Sequence, residues 1–116
     1  MKNYLEITKS TSAGLRELRK DAAEPLAGFS QLTREAMKEG VLDKKTKEFI
    51  AMALGVAARC DACLGYHAEA LVKLGATRQE LAEVLAVAVQ MGGGPSLMYA
   101  ADAMTAFLQF EGQKAA

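Results

Sequence analysis

Residues 48–70 read EFIAMALGVAARCDACLGYHAEA, and this stretch decides the fold. Residues 49–58 form an apolar run with no alternation at period two, so we predict a buried helix rather than a strand. After Arg59, the residues Cys60, Cys63 and His67 follow at helical spacings of three and four. The stretch therefore predicts two helices joined by a tight bend, a central antiparallel helix hairpin.

The same reasoning outside this stretch predicts an all-α domain of about six helices. β-Branched residues are few and alanine is abundant, while Gly75, Gly92–Gly94 and Pro95 separate the helical segments. We expect Gly40 and Gly75 to end helices and Asp43 to cap the start of one. The predicted helices are Thr11–Ala23, Pro25–Glu39, Lys44–Arg59, Asp61–Leu74, one that opens with the capping box Thr77–Glu80 and runs through Val89, and Ser96–Phe110, with residues 111–116 frayed.

Length and charge narrow the class of protein. The 116 residues fit a single domain, 1–116, and self-association is a natural way for so small a domain to bury more apolar surface. Fourteen basic residues balance fourteen acidic ones, so the sequence lacks the excess of positive charge that favours binding to nucleic acid or to an anionic membrane. Because there is no signal-type start and residues 49–58 are too short to span a bilayer, we expect a cytoplasmic protein that does not bind membranes.

The two cysteines and the one histidine of the chain lie within eight residues of one another. Cys60 is expected at a helix N-terminus, where free amides and the helix dipole favour a thiolate. His67 lies one turn after Cys63 and can accept its proton, since imidazole titrates near neutral pH. A disulfide closing so short a loop adds little stability, so the pair is better explained by reactivity.

Glu48 is the predicted partner of His67. In an antiparallel hairpin that bends near Arg59, Glu48 lies about 16 Å before the bend and His67 about 12 Å after it. A long carboxylate side chain can then reach the imidazole and orient it. The simpler interpretation is that Glu48 is a solvated residue in the first turn of its helix, and spacing alone favours that interpretation.

Metal binding and cofactor attachment are alternative uses of the cysteines and His67. Zinc could take Cys60, Cys63 and His67 with Glu48 as a fourth ligand, but structural zinc sites usually use four Cys or His ligands. Attachment of c-type haem needs a histidine where Leu64 stands. The thioredoxin motif needs a preceding strand, which is lacking here, so the thiol chemistry can be similar but the fold is not. We therefore expect no metal and no cofactor. Tyr66 and Tyr99 are expected to serve packing, and Met91, Met98 and Met104 to fill the core.

At this level of detail the chain resembles the carboxymuconolactone decarboxylase superfamily, and within it the alkylhydroperoxidase D-like (AhpD-like) branch. The resemblance rests on Glu48, twelve residues before the Cys60-x-x-Cys63 pair, and on His67 after three further residues. The segments Leu74–Ala76 and Met91–Tyr99 add to it, and the whole covers about residues 25–108.

The resemblance implies thiol peroxidase chemistry on a small hydroperoxide, with a dithiol or a protein thiol as reductant. It implies that Cys63 is the peroxidatic cysteine, activated by His67 and Glu48, and that Cys60 resolves the intermediate into a disulfide. It also implies a homo-oligomer, a trimer or a hexamer. The helix dipole alone favours Cys60 as the nucleophile, so the two lines of argument disagree on this point.

Two alternatives remain open on sequence grounds. A decarboxylase-like enzyme would use Glu48 and His67 as acid and base on a small lactone and would not need the cysteines. A redox-sensing or zinc-binding oligomeric module would use the cysteines without turnover. The chain carries one copy of the core signature, with Asp61 and Ala62 between the cysteines.

Overall fold

The computed structural model describes residues 1–115, and all five regular elements in that range are α-helices. They are α1 Tyr4–Asp21, α2 Ala23–Met37, α3 Lys44–Ala58, α4 Asp61–Lys73 and α5 Arg78–Ala115. The predicted all-α class is confirmed. The count differs by one, because the last two predicted helices are two arms of α5 that meet at a kink.

The kink lies at Gly93, whose φ of 71° and ψ of −151° are non-helical. Glycine adopts such a positive φ without the steric cost that a Cβ would impose. Its neighbour Gly92 packs directly on the Ser96 side chain, where a Cβ would collide with the hydroxyl. The glycine run thus breaks the regular helix at the predicted place and permits close approach, but the two arms continue as one kinked element.

Helices α1 and α2 begin and end at residues other than those predicted, and the largest difference is at the start of α1. The helix α1 begins at Tyr4 rather than Thr11, because the Asn3 side chain accepts a hydrogen bond from the Glu6 amide and caps it. Tyr4 and Thr8 are buried, although polar residues around them hide the apolar face in the sequence. The prediction missed this first part of the helix.

Gly40 does not cap α2, which corrects a second prediction. The helix ends at Met37 with Lys38 extended, and the Gly40 amide instead donates to the Leu42 carbonyl oxygen. Lys47 of α3 donates from Nζ to the carbonyl oxygens of Ala36 and Lys38 at 2.9 and 2.7 Å. A cation from another helix therefore satisfies the C-terminal carbonyls for which a glycine cap was expected.

The other predicted caps are present. Asp43 Oδ1 accepts from the Thr46 amide at 2.7 Å and starts α3. Thr77 and Glu80 form the reciprocal capping box at the start of α5, with distances of 3.0 and 2.9 Å. Gly75 follows α4 with a φ of 78°. The tail predicted to fray continues α5 to Ala115, and Ala116 lies outside the described residues.

One hydrophobic core joins α1, α3, α4 and α5. Its fully buried large side chains lie on all four of these helices: Tyr4, Met52, Val56, Leu64, Leu71, Leu81 and Phe107. Along the chain this core runs from Tyr4 to Phe110. The helix α2 contributes no buried residue and contacts only its neighbours in sequence, α1 and α3.

By length and composition, α5 could cross a membrane, with a mean hydropathy of 1.3 over its most apolar 18 residues. Only 17% of that window is buried within the chain. The kink at Gly93 falls inside the helix, and Leu81, Leu85, Ala103 and Phe107 pack into the common core. These contacts make α5 a core helix, one side of which is apolar and exposed.

Candidate functional site

The site is built where α3 turns into α4. Arg59 ends α3 in the left-handed conformation with a φ of 56°, and Cys60 caps the start of α4. The Arg59 and Cys60 amides donate to the carbonyl oxygens of Val56 and Gly55 at 3.2 and 3.1 Å. This two-residue connection folds α4 back against α3 and puts both cysteines at the tip of the hairpin.

Cys60 and Cys63 are joined by a disulfide, with their Cα atoms 5.2 Å apart. Cys60 Sγ also accepts from the Cys63 amide at 3.3 Å, the position that an N-cap side chain takes. The structure therefore places Cys60 at the helix N-terminus as the sequence predicts. The structure thus shows the cysteine pair in its oxidised form.

Helix α3 passes close behind the cysteines. Gly55 is buried, and a Cβ placed on it would lie 3.3 Å from Cys63 Cβ and 3.6 Å from Leu64 Cδ2. Any larger residue there would press on the first turn of α4. The absence of a side chain at Gly55 thus sets the distance between the hairpin arms at the level of Cys63.

His67 and Glu48 are in contact across the hairpin. His67 Nδ1 lies 2.6 Å from Glu48 Oε2, and their side chains are 27% and 16% exposed. An ionised carboxylate can only accept a hydrogen bond, so the tautomer that fits this contact carries its proton on Nδ1. The ring then presents Nε2 as its acceptor nitrogen, on the residue one helical turn after Cys63.

A second set of charged side chains beside the cysteines was not predicted. Lys2 Nζ lies 3.0 Å from Asp61 Oδ1 and 2.8 Å from Asp102 Oδ2, and Tyr4 Oη donates to Asp61 at 3.4 Å. Asp102 and Asp61 raise the pKa of Lys2, and burial raises the pKa of Tyr4 to about 12. No spacing pattern could reveal this cluster, because a hundred positions separate Lys2 from Asp102.

Tyr66 and Tyr99 have packing roles. The Tyr66 hydroxyl is 2.5 Å from Ser12 Oγ and donates to the Thr8 carbonyl oxygen, which ties α4 to α1. The Tyr99 ring lies under Lys2 Nζ, 5.0 Å from the ring centroid. Two of the methionines expected in the core are exposed instead, Met91 at 79% and Met98 at 60%, so the prediction was wrong for these two. Met104 is partly buried and packs against the core, as predicted.

Zinc binding has no geometric support in the part of the chain that the structure describes. No group of three or more His, Cys, Asp or Glu side chains within residues 1–115 is arranged to hold a metal ion. Glu48 and His67 are engaged with each other, and the sulfurs of Cys60 and Cys63 with one another.

Comparison with known proteins gives a consistent result. Residues 23–106 match the model of the carboxymuconolactone decarboxylase family. An uncharacterized protein from Cupriavidus necator is 42% identical over 87 residues, which cover 73% of this chain and 77% of that protein.

Two crystal structures share the fold. One is apo-lpg0406, a carboxymuconolactone decarboxylase family protein from Legionella pneumophila, with a TM-score of 0.91 and 56% identity over 93% of this chain and 96% of the other. The second is a family protein from Thermotoga maritima for which a role in the antioxidative response has been suggested. It has a TM-score of 0.79 and 26% identity, with 90% and 92% of the two chains covered.

Proposed function

The chain belongs to the carboxymuconolactone decarboxylase family, and on that premise we propose that it is a thiol-dependent hydroperoxide reductase. The observation that carries this proposal is the Glu48–His67 contact of 2.6 Å beside the Cys60–Cys63 pair. A redox-active dithiol and a polarised imidazole on one helix are the parts that peroxide reduction requires. The antioxidative role suggested for the Thermotoga maritima relative points in the same direction.

The first step oxidises Cys63. His67 takes the thiol proton through Nε2, and the thiolate attacks the terminal oxygen of the hydroperoxide. The O–O bond breaks, the alkoxide leaves with a proton returned by the imidazolium, and Cys63 becomes a sulfenic acid. Glu48 keeps the imidazole oriented and stabilises its cationic form between the two proton transfers.

The second step closes the disulfide. The Cys60 thiolate attacks the Cys63 sulfur, an S–S bond forms and the S–O bond breaks. The sulfenic hydroxyl leaves as water with the proton that the Cys60 thiol has given up. A dithiol or protein-thiol reductant then attacks the disulfide and is itself oxidised to a disulfide, which regenerates both thiols. Peroxide plus the reductant dithiol thus yields alcohol, water and the oxidised reductant.

The position of Cys60 at the start of α4 affects which cysteine attacks the peroxide and which one resolves the intermediate. The Cys63 amide and the helix N-terminus stabilise a thiolate on Cys60, which alone would favour Cys60 as the nucleophile. The same stabilisation makes Cys60 the better leaving group when a reductant attacks the Cys63 sulfur. With His67 one turn from Cys63, we assign peroxide attack to Cys63 and resolution to Cys60.

A hydroperoxide consumption assay with a dithiol donor tests this function. The wild-type chain should consume peroxide catalytically, and Cys63→Ser should lose that activity. Glu69→Gln is the control, because Glu69 lies on α4 two residues beyond His67 and lines a different surface, the pocket bordered by Tyr66 and Phe110. Equal rates for the wild type and Cys63→Ser would refute the proposal.

The Glu48–His67 contact also supports a second candidate, acid–base chemistry on a small lactone, because that contact needs no sulfur. A double Cys60→Ser/Cys63→Ser variant discriminates the two. It should be inactive towards peroxide, whereas a lactone-cleaving enzyme would keep full activity without its cysteines. A redox-sensing module would instead cycle between dithiol and disulfide stoichiometrically, with no turnover in either assay.

We propose that the working form is a cytoplasmic homo-oligomer, a trimer or a hexamer. Two large apolar side chains lie exposed on α2, Phe29 and Leu32. Others line an apolar groove of about 420 Å³ between α3 and the first arm of α5: Ile50, Leu54 and Val87. Because α2 has no buried residue and packs only loosely on α1 and α3, its exposed apolar side chains are available to another chain.

Light scattering after size exclusion tests the assembly. The wild-type chain should elute as a trimer or a hexamer, and Leu54→Glu in the groove should shift the mass towards the monomer. Arg16→Glu alters charge on α1 away from the groove and should keep the wild-type mass. A monomeric wild type at all concentrations would overturn this part of the proposal.

A further inference from the structure

The N-terminal residues hold a cation beside the redox centre. Lys2 Nζ bridges Asp61 on α4 and Asp102 on α5, at 3.0 and 2.8 Å. The backbone around it is fixed, since Gln109 Nε2 donates to the Lys2 carbonyl oxygen at 2.9 Å and Gln109 Oε1 accepts from the Tyr4 amide at 2.7 Å. With Tyr4 fully buried, the segment is anchored and Lys2 is not a free surface side chain.

Asp61 is the negative charge nearest to the thiols in the sequence. It directly follows Cys60 and precedes Cys63 by two residues, in the first turn of α4. An uncompensated carboxylate there repels a thiolate on either sulfur and so disfavours the ionised form. Lys2 binds the very oxygen, Oδ1, that also accepts from Tyr4 Oη, so it both offsets this charge and fixes its position.

We propose that Lys2 is a positioning residue of the redox centre, which restrains the Asp61 carboxylate and compensates its charge so that the Cys60–Cys63 dithiol ionises readily. The proposal rests on the redox role of the cysteines in the proposed function. It concerns the reactivity of the thiols themselves and not their oxidant.

Of the described charged groups near the first turn of α4, Lys2 is the one placed to compensate the Asp61 carboxylate. Around the first turn of α4, the other charged or titratable groups on the packed elements are Arg59, Glu48, His67, Tyr99 and Tyr4. Arg59 at the end of α3 is more than one-third exposed, and it has no contact with either aspartate. Glu48 and His67 are engaged with each other. Among the described residues, Lys2 is the cation that contacts both Asp61 and Asp102.

The three side chains of the cluster are partly solvated, which limits how strongly Lys2 changes thiolate formation. Lys2, Asp61 and Asp102 are 42%, 39% and 30% exposed. One unit charge roughly 10 Å from a sulfur across such a surface changes thiolate formation about threefold, and salt screens it. A role confined to packing would show no such salt dependence.

The pH profile of iodoacetamide alkylation of the reduced full-length chain tests the proposal. Lys2→Gln should lower the alkylation rate at pH 7 about threefold and move the profile to higher pH, with the difference shrinking in 1 M salt. Lys2→Arg should restore the wild-type profile. Lys2→Gln should have a smaller effect in an Asp61→Asn background, because the restrained carboxylate is then absent.

Lys9→Gln is the matched control, because it removes the same charge from α1 at a residue that makes no ion pair in the described chain. Circular dichroism and thermal melting verify that each variant is folded. An unchanged profile in Lys2→Gln, or an equal change in Lys9→Gln, overturns the proposal. Since alkylation needs no peroxide, failure of peroxidase activity with a shifted profile would reject the proposed function and leave this inference standing.

Discussion

His67 Nδ1 lies 2.6 Å from Glu48 Oε2, although nineteen positions separate the two residues along the chain. The contact exists because the Arg59–Cys60 turn folds α4 back on α3 so that the two side chains meet at the same height. It holds the imidazole through one nitrogen and leaves the other without a bond to Glu48. The hairpin thus brings a cysteine pair, an imidazole and a carboxylate into one structural unit.

Replacing Glu48 by Gln tests the orienting role. The amide keeps the size of the side chain but cannot stabilise an imidazolium, so kcat/KM for hydroperoxide should fall about tenfold or more. The loss should be smaller than the roughly 10²- to 10⁴-fold typical of removing a general acid–base group, which we expect for His67→Gln. Glu69→Gln should keep the wild-type value. An unchanged kcat/KM in Glu48→Gln would exclude Glu48 from the relay.

Trapping of sulfenic acid distinguishes the two cysteines. With Cys60 replaced by Ser, the oxidised Cys63 has no partner, so a dimedone adduct should accumulate on Cys63 after stoichiometric peroxide. With Cys63 replaced by Ser, peroxide should leave Cys60 largely unmodified. Mass spectrometry of the labelled chains reads out both. An adduct on Cys60 alone would reverse the assignment in favour of the helix-dipole argument.

The close packing of α1 on α4 depends on Gly65. A Cβ there would lie 2.5 Å from Thr8 Cγ2 and 3.5 Å from Tyr4 Cδ1. Gly65→Ala should therefore lower the free energy of unfolding by about 1–3 kcal/mol. Adding Thr8→Ser removes the methyl group that collides and should recover part of the loss, while keeping the hydroxyl that bonds the Tyr4 carbonyl oxygen.

Gly14→Ala is the matched control for Gly65→Ala. No atom lies within 4 Å of a Cβ placed on Gly14 in α1, so alanine should stabilise the helix by about 0.5–1 kcal/mol. Denaturant unfolding measures all of these variants. A Gly65→Ala chain as stable as the wild type would mean that α1 packs less closely on α4 than the structure has it.

The capping box of α5 predicts a pH dependence. The Thr77 amide, with Lys45 as a second contributor, lowers the pKa of Glu80 in the folded chain below its ordinary value. A carboxyl group with a depressed folded pKa stabilises the fold above its unfolded pKa, and the contribution is lost as pH falls through the folded value. Glu80→Gln should thus lower the denaturation midpoint at pH 7, and the difference should shrink as the pH falls below the ordinary pKa of a glutamate and vanish once the folded carboxyl group is protonated.

Glu83→Gln serves as the control for Glu80→Gln. Glu83 lies on the same exposed face of α5 and accepts only from the Gln79 side chain. Its substitution should leave the midpoint nearly unchanged at both pH values. A constant difference between Glu80→Gln and the wild type across the pH range would show that the carboxylate charge is not what stabilises the cap.

The hairpin and its caps could be predicted from sequence because their signals are local. The apolar run from Phe49, the Asp43 cap and the Thr77–Glu80 box each specify backbone geometry within a few residues. The Glu48–His67 contact could be anticipated because equal rise per residue on two antiparallel helices fixes which residues meet.

The features that were missed depend on distant partners. The early start of α1 is stabilised by burial of Tyr4 against residues far along the chain, and the end of α2 by Lys47 on α3. The Lys2–Asp61–Asp102 cluster joins both ends of the sequence. The exposure of Met91 and Met98 could not be predicted, since an exposed apolar residue in an apolar segment has the same sequence pattern as one in the core.

Thiol counting by mass spectrometry, before and after one equivalent of hydroperoxide, tests the central claim most directly. The reduced chain should lose both thiols together and gain one Cys60–Cys63 disulfide within the time of peroxide consumption, and a dithiol should then restore them. Two free thiols after peroxide exposure would contradict the account and leave the Glu48–His67 pair to serve a reaction without sulfur.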